Sequence, residues 1–175
     1  EEDCGTVEAA ISALGSVGEP ARAVLEKKLK TEKDYNMKAA AISALGQVGP
    51  SALEALSAMA MDKDYDLRST ATRALGSLGP PAREMIETLT EDEDSIVRRE
   101  AINGLINIGP AALDKIRSFA KGQDEGTREA IASALGKMGQ LVLEDLKVLA
   151  EDESAKVRAA AAASLGMAGG GALDS

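Results

Sequence analysis

The chain has 175 residues, 20 Lys and Arg against 29 Asp and Glu, a formal net charge of -9, no His, no Trp and 2% aromatics. Without imidazole there is no His-based triad, no His-ligated zinc, no HExxH protease and no di-iron hydroxylase that needs His-Glu pairs. The acidic excess repels nucleic-acid phosphates and anionic lipid surfaces, and the single cysteine, Cys4, allows neither an internal disulfide nor a C-x-x-C site.

In chain order, residues 3 to 17 read as a helix that runs into AISALGSVG around Leu14. That string returns as AISALGQVG, ATRALGSLG, AINGLINIG, AIASALGKMG and AAASLGMAG, which puts a leucine at 14, 45, 75, 105, 135 and 165. One interval of 31 is followed by four of 30, with the extra residue between Leu25 and Asp34. A fixed period of this length marks stacked copies of one supersecondary unit. Each unit reads as two short helices. In the first, Leu56, Ile86, Ile116 and Leu146 recur with Met59, Leu89, Phe119 and Leu149 three residues on, an apolar stripe on a helix of about three turns. Asp34, Asp64, Asp94, Asp124 and Ser154 stand eleven residues before each leucine, where an N-cap is wanted for unpaired backbone N–H groups.

The second helix of each unit carries one buried face, exemplified by Leu67, Ala71, Ala74 and Leu75. These second helices are predicted to end near Gly18, Gly49, Gly79, Gly109, Gly139 and Gly169; Pro50, Pro80 and Pro110 follow three of them and stop continuation. The inner glycines Gly15, Gly46, Gly76, Gly136 and Gly166 fall within the helix, where each costs about 1 kcal/mol against Ala, so close packing against a neighbouring helix is expected to compensate. In the fourth unit Ile106 replaces that glycine and Gly104 replaces the usual Ala, a local exchange of bulk. The last helix, residues 154 to 168, is followed only by GGGALDS. The expected fold is therefore all-α: a solenoid of stacked helical pairs forming one array over residues 1–175.

The A-x-x-A-L-G-x-Φ-G string, preceded by D-x-x-V/L-R, resembles the HEAT repeat, specifically the short bacterial type associated with phycobilisome bilin lyases. The resemblance implies that second helices line a concave side and first helices a convex one. It also implies a ladder between successive units, made by an Asp in the turn and an Arg six residues later. The matching pairs are Asp62/Arg68, Asp92/Arg98 and Asp152/Arg158, with a weaker Glu32/Lys38. The fifth unit departs, because Gly122 replaces the Asp before Arg128, which puts its rung in doubt.

Charge is unevenly placed. First helices and turns hold acids such as Glu84, Glu87, Asp114 and Glu144, whereas second helices hold Arg73, Arg99, Arg128 and Lys137. Arg73, Arg99, Asn103 and Lys137 are read as an exposed strip for an acidic peptide. Arg73 and Asn103 share one repeat position with Ser12, Ser43, Ser133 and Ala163, so Ser43 and Ser133 extend a small polar track. Tyr35 and Tyr65 follow successive N-caps and are expected side by side, either shielding the helix starts or anchoring a partner. Paired acids such as Asp62/Asp64 and Asp92/Asp94 recur as turn and cap residues rather than as a metal site, and Cys4 has no helper base.

These readings point to a non-catalytic scaffold that binds a protein or peptide along the concave helices, with no cofactor and no metal. The rival from the enzyme class is a bilin lyase or chromophore-handling protein of the phycobilisome type. A nucleic-acid role like that of HEAT-like DNA-repair glycosylases would need a basic face with aromatic probes. Both ends lack the polar cover a solenoid needs, which implies a fragment of a longer array or end-to-end contacts between copies. No stretch reaches the roughly 20 apolar residues of a membrane span and no signal segment opens the chain, so a soluble, cytoplasmic protein is expected.

Overall fold

A computed structural model describes residues 4–122 and 124–170 of the chain. Its helices, in order, are α1 (Cys4–Val17), α2 (Arg22–Thr31), α3 (Tyr35–Val48), α4 (Leu53–Met59), α5 (Tyr65–Ser77), α6 (Arg83–Leu89), α7 (Ser95–Ile108), α8 (Leu113–Phe119), α9 (Glu125–Leu135), α10 (Leu143–Leu149) and α11 (Ala155–Gly170). Even numbers are the first helices of the repeats and odd numbers the second. The chain divides into two compact units, Glu1–Asn107 and Ile108–Ser175. The side chain of Cys4 lies outside the described residues.

The caps stand where the sequence puts them. Asp34 accepts from the Met37 N–H, Asp64 from Asp66, Asp94 from Ile96 and Val97, Asp124 from Thr127, and the Ser154 hydroxyl from Lys156. Each satisfies a backbone donor that the first helical turn leaves without a partner. At the other end, Gly18, Gly49, Gly79, Gly109 and Gly139 all have φ between 66° and 107°, a region that a Cβ makes costly. The prolines after Gly49, Gly79 and Gly109 do more than stop a helix. Each stands in the first or second position of a one-turn 3-10 segment that leads into the next first helix, where a missing N–H costs nothing. The α-helical part of the first helices is consequently shorter than the predicted three turns: α4, α6, α8 and α10 have 7 residues each, and only α2 reaches 10.

In the first unit α1 packs on α3 and α3 on α5, while α2 and α4 cover them from one side. Leu25, Ile42, Leu45, Leu56, Leu75, Ile86 and Leu105 are fully buried there. In the second unit α9 packs on α11 and α10 covers both, burying Ile116, Ile131, Leu135, Leu146 and Leu149. Burial of each such side chain contributes about 1.5–3 kcal/mol. Rings are scarce because these layers are thin, and Phe119 is the one aromatic buried among the described residues.

The inner glycines sit where second helices touch. A Cβ on Gly15 would lie 2.9 Å from the Ala44 backbone, on Gly46 3.0 Å from the Ala74 Cβ, on Gly76 2.9 Å from the Gly104 Cα, and on Gly136 2.6 Å from the Ser164 Cβ. Gly166 breaks the pattern, since nothing lies within 4 Å of its hypothetical Cβ. Gly104 makes room for the Ile86 side chain, 3.2 Å from where its Cβ would stand. Where the other repeats carry Ala or, at Gly104, glycine, the buried Ser164 hydroxyl has no hydrogen-bond partner, so that position selects for smallness, not polarity.

The ladder forms with partners different from those its motif suggests. Arg68 donates from Nε and Nη2 to both carboxylate oxygens of Asp92, 3.0 Å each, and from Nη1 to the backbone carbonyls of Asp62 and Lys63. Asp62, six residues before it, thus contributes a carbonyl, and the carboxylate comes from the next repeat. Asp62 spends its own side chain on the Asp64 N–H. Arg128, whose rung the sequence left in doubt, makes the same bidentate pair with Asp152 at 2.8 and 3.0 Å. Arg98 keeps the carbonyl half, to Asp92 and Glu93, and has no carboxylate among the described residues. Its counterpart in the period is Gly122. Lys38 has no ion pair among the described residues, and Glu32 is instead held by Lys28 at 2.6 Å and by the N–H groups of Lys33 and Asp34.

Candidate partner-binding face

The exposed face of the second helices follows from the same period that builds the core. Once Ala41, Ile42, Ala44 and Leu45 of α3 point inward, positions 35, 36, 39, 40 and 43 are left on the opposite side. On α5 half-buried Asp66, buried Thr70 and exposed Arg73 form one stripe at i, i+4 and i+7, on the side away from Leu67, Ala71, Ala74 and Leu75. The two stripes meet in a shallow cleft lined by Tyr35, Asn36, Ala39, Ala40, Ser43, Thr70 and Arg73. Ser43 and Arg73, predicted as partner-binding residues, are therefore brought together. Arg99 is exposed and Asn103 half-buried on α7 of the same unit, outside that cleft. Ser133 on α9 and Lys137 just beyond it are exposed in the second unit. Among the described residues none of these six side chains takes part in a hydrogen bond or ion pair.

Tyr35 and Tyr65 are 41% and 44% exposed, and Tyr65 is one of the groups that act on the Tyr35 hydroxyl. Burial pushes the Tyr35 hydroxyl upward in pKa, the charges of Asp66 and Asp64 and the neighbouring Tyr65 add to this, and a hydrogen bond with Thr70 opposes it. Sequence reading passed over Asn36, Ala39, Ala40 and Thr70 as lining residues. The signal was present, because 36, 40 and 43 share one stripe just as 66, 70 and 73 do.

The first-helix side carries a second cleft, between α2 and α4, with Leu29, Ala55, Ala58 and Met59 beneath Arg22, Glu26 and Ser51. Arg22 there is engaged by Glu19 and Glu26 at 2.8 Å each, and the Ser51 hydroxyl donates to Glu19. Across the described residues no group of three or more His, Cys, Asp or Glu is placed to hold a metal ion, and no helix is long and apolar enough to cross a membrane.

With two-helix units, cap, glycine and ladder in place, the comparison with known families is direct. The HEAT repeats model matches residues 23–84 and 82–166. The chain belongs to the HEAT repeat family. Solved structures with the same fold include the complex of CpcE and CpcF of phycocyanin lyase from a Nostoc species, at 23% identity and TM-score 0.63 over 73% of this chain and 87% of that one. The archaeal HEAT-like repeats protein of Thermococcus onnurineus aligns at 19% identity and TM-score 0.57, over 92% and 75% of the two chains. A designed armadillo repeat protein in complex with the peptide (KR)4 aligns at 15% identity and TM-score 0.56, over 92% and 91%. No curated protein matches the chain. A HEAT array of this kind is a repeat scaffold, and these likenesses establish its fold.

Proposed function

We propose that this HEAT array is a non-catalytic interaction scaffold whose second-helix face binds an acidic protein or peptide. The observation that carries the reading is the unequal use of cations. Arg68 and Arg128 are consumed by the ladder and Arg22 and Arg83 by carboxylates on their own helices, whereas Arg73, Arg99 and Lys137 have no partner among the described residues. Exposed guanidinium and ammonium groups near small polar residues suit carboxylates presented by another chain. The armadillo design is bound to a peptide, there the basic (KR)4, which supports peptide recognition by this fold, while the sign of the charge rests on the cations of this chain.

The test is a fluorescein-labelled decapeptide of glutamates titrated with the protein at low salt. The wild type is expected to bind, and the triple variant Arg73→Glu, Arg99→Glu, Lys137→Glu to lose at least about tenfold in affinity while melting normally. Equal binding by that variant removes these three cations from consideration. The likeness to the phycocyanin lyase complex favours one further reading, a chromophore-handling protein. Adding a bilin and recording its absorbance decides that reading, since an unchanged spectrum sinks it.

A further inference from the structure

The α3–α5 cleft is electrically polar along its length, and this carries more than a general preference for acids. Asp66, Thr70 and Arg73 follow one stripe of α5: Thr70 and the Arg73 guanidinium line the cleft, and the Asp66 carboxylate stands one turn before Thr70, at the rim. Neither Asp66 nor Arg73 has an ion pair among the described residues. The Asp66 end is also the Tyr35 end, because both stand in the first turn of their helices and Tyr35 lines the cleft with Thr70, one turn on from Asp66. The Arg73 end faces Ser43, and between the two the floor is Ala39 and Ala40, small enough for a peptide backbone to lie close.

Seven residues of helix separate Asp66 from Arg73, about 10 Å along the axis at 1.5 Å per residue. A peptide in the polyproline II conformation, common among unbound chains, rises about 3.1 Å per residue with three residues per turn. Residues i and i+3 of such a peptide stand on one side, about 9 Å apart. We infer that this cleft receives a polyproline-II-like peptide segment bearing one acidic and one basic side chain three residues apart. The acid pairs with Arg73, and the base lies against the Tyr35 ring and the Asp66 carboxylate. The inference rests on the second-helix face being a peptide surface and specifies the peptide.

The experiment uses the full chain and labelled decapeptides of Gly, Ala and Ser that carry one Glu and one Lys at spacings of one, two, three and six. A peptide with two Glu at spacing three is the control. Fluorescence polarisation and the amide shifts of α3 and α5 are read together. The spacing-three dipolar peptide is expected to bind about tenfold more tightly than the spacing-six peptide. Asp66→Lys and Arg73→Glu should each weaken it about fivefold or more, and the double exchange should restore binding with the peptide reversed, which a folding defect would not do. Equal affinity at all spacings overturns the inference. If the two-Glu peptide binds better, and Asp66→Lys strengthens it further, the dipolar peptide is excluded while acidic-peptide binding stands. If no peptide binds or shifts the α3 and α5 amides, both fall.

Discussion

The seam between second helices and the open face of the same helices obey opposite rules. Along the seam the repeats agree: leucine at 45, 75, 105 and 135 is fully buried or nearly so, small residues meet small residues, and Arg68 and Arg128 hold matching aspartates in matching geometry. On the open face they differ, with Ser43, Arg73, Asn103, Ser133 and Ala163 at one repeat position. In a repeat protein, then, identity between units marks what stacking requires, and divergence marks surface that stacking leaves unconstrained.

The comparison breaks first at Arg68. Its side chain is 9% exposed and that of Asp92 11%, so Arg68→Ala leaves a largely desolvated carboxylate unpaired and should cost about 3 kcal/mol in urea denaturation. Arg73, five residues on and exposed, should tolerate Arg73→Glu within about 0.5 kcal/mol. Similar losses at both positions would erase the distinction. A smaller effect separates two glycines at one repeat position. Gly76→Ala drives a methyl to 2.9 Å from the Gly104 Cα, an overpacking cost of about 1–3 kcal/mol that exceeds the helix-propensity gain of about 1 kcal/mol. Gly166→Ala meets open space and should stabilise by about 1 kcal/mol, so the two melting temperatures should move in opposite directions.

The smallest effect concerns the irregular first rung. The Lys28 ammonium, then the N–H groups of Asp34 and Lys33, draw the Glu32 carboxyl from 4.5 down to about 2. A lowered carboxyl pKa adds stability that is present above the unfolded value and is lost as pH falls through the folded one. The melting temperature should therefore decline as pH falls from about 4.5 towards 2, and Glu32→Gln should flatten that part of the profile.

Much of this architecture was legible in the residues alone. Asp64 eleven positions before Leu75, and Gly79 four positions after it, are local signals whose chemistry acts within a turn or two. The ladder was legible only in composition. Asp62 and Arg68 stand close in sequence, but the carboxylate that meets the guanidinium belongs to Asp92, 24 residues away, and only stacking brings it there. That is also why Arg128 has its rung despite Gly122, and why the gap falls on Arg98 instead. The cleft was half legible: Arg73 and Ser43 stood out as polar, whereas Ala39 and Ala40 matter by leaving space, which a search for polar groups overlooks.

The reach of the inter-repeat bonds has a kinetic consequence. Arg68–Asp92, Arg128–Asp152, Arg117–Asp145, Ser77–Gly46 and Ser51–Glu19 span 24, 24, 28, 31 and 32 residues, so each closes a loop of about one repeat. Loop-closure entropy stays modest throughout, contact order is low, and such a chain is expected to fold quickly and, when pulled from its ends, to yield in repeat-sized steps.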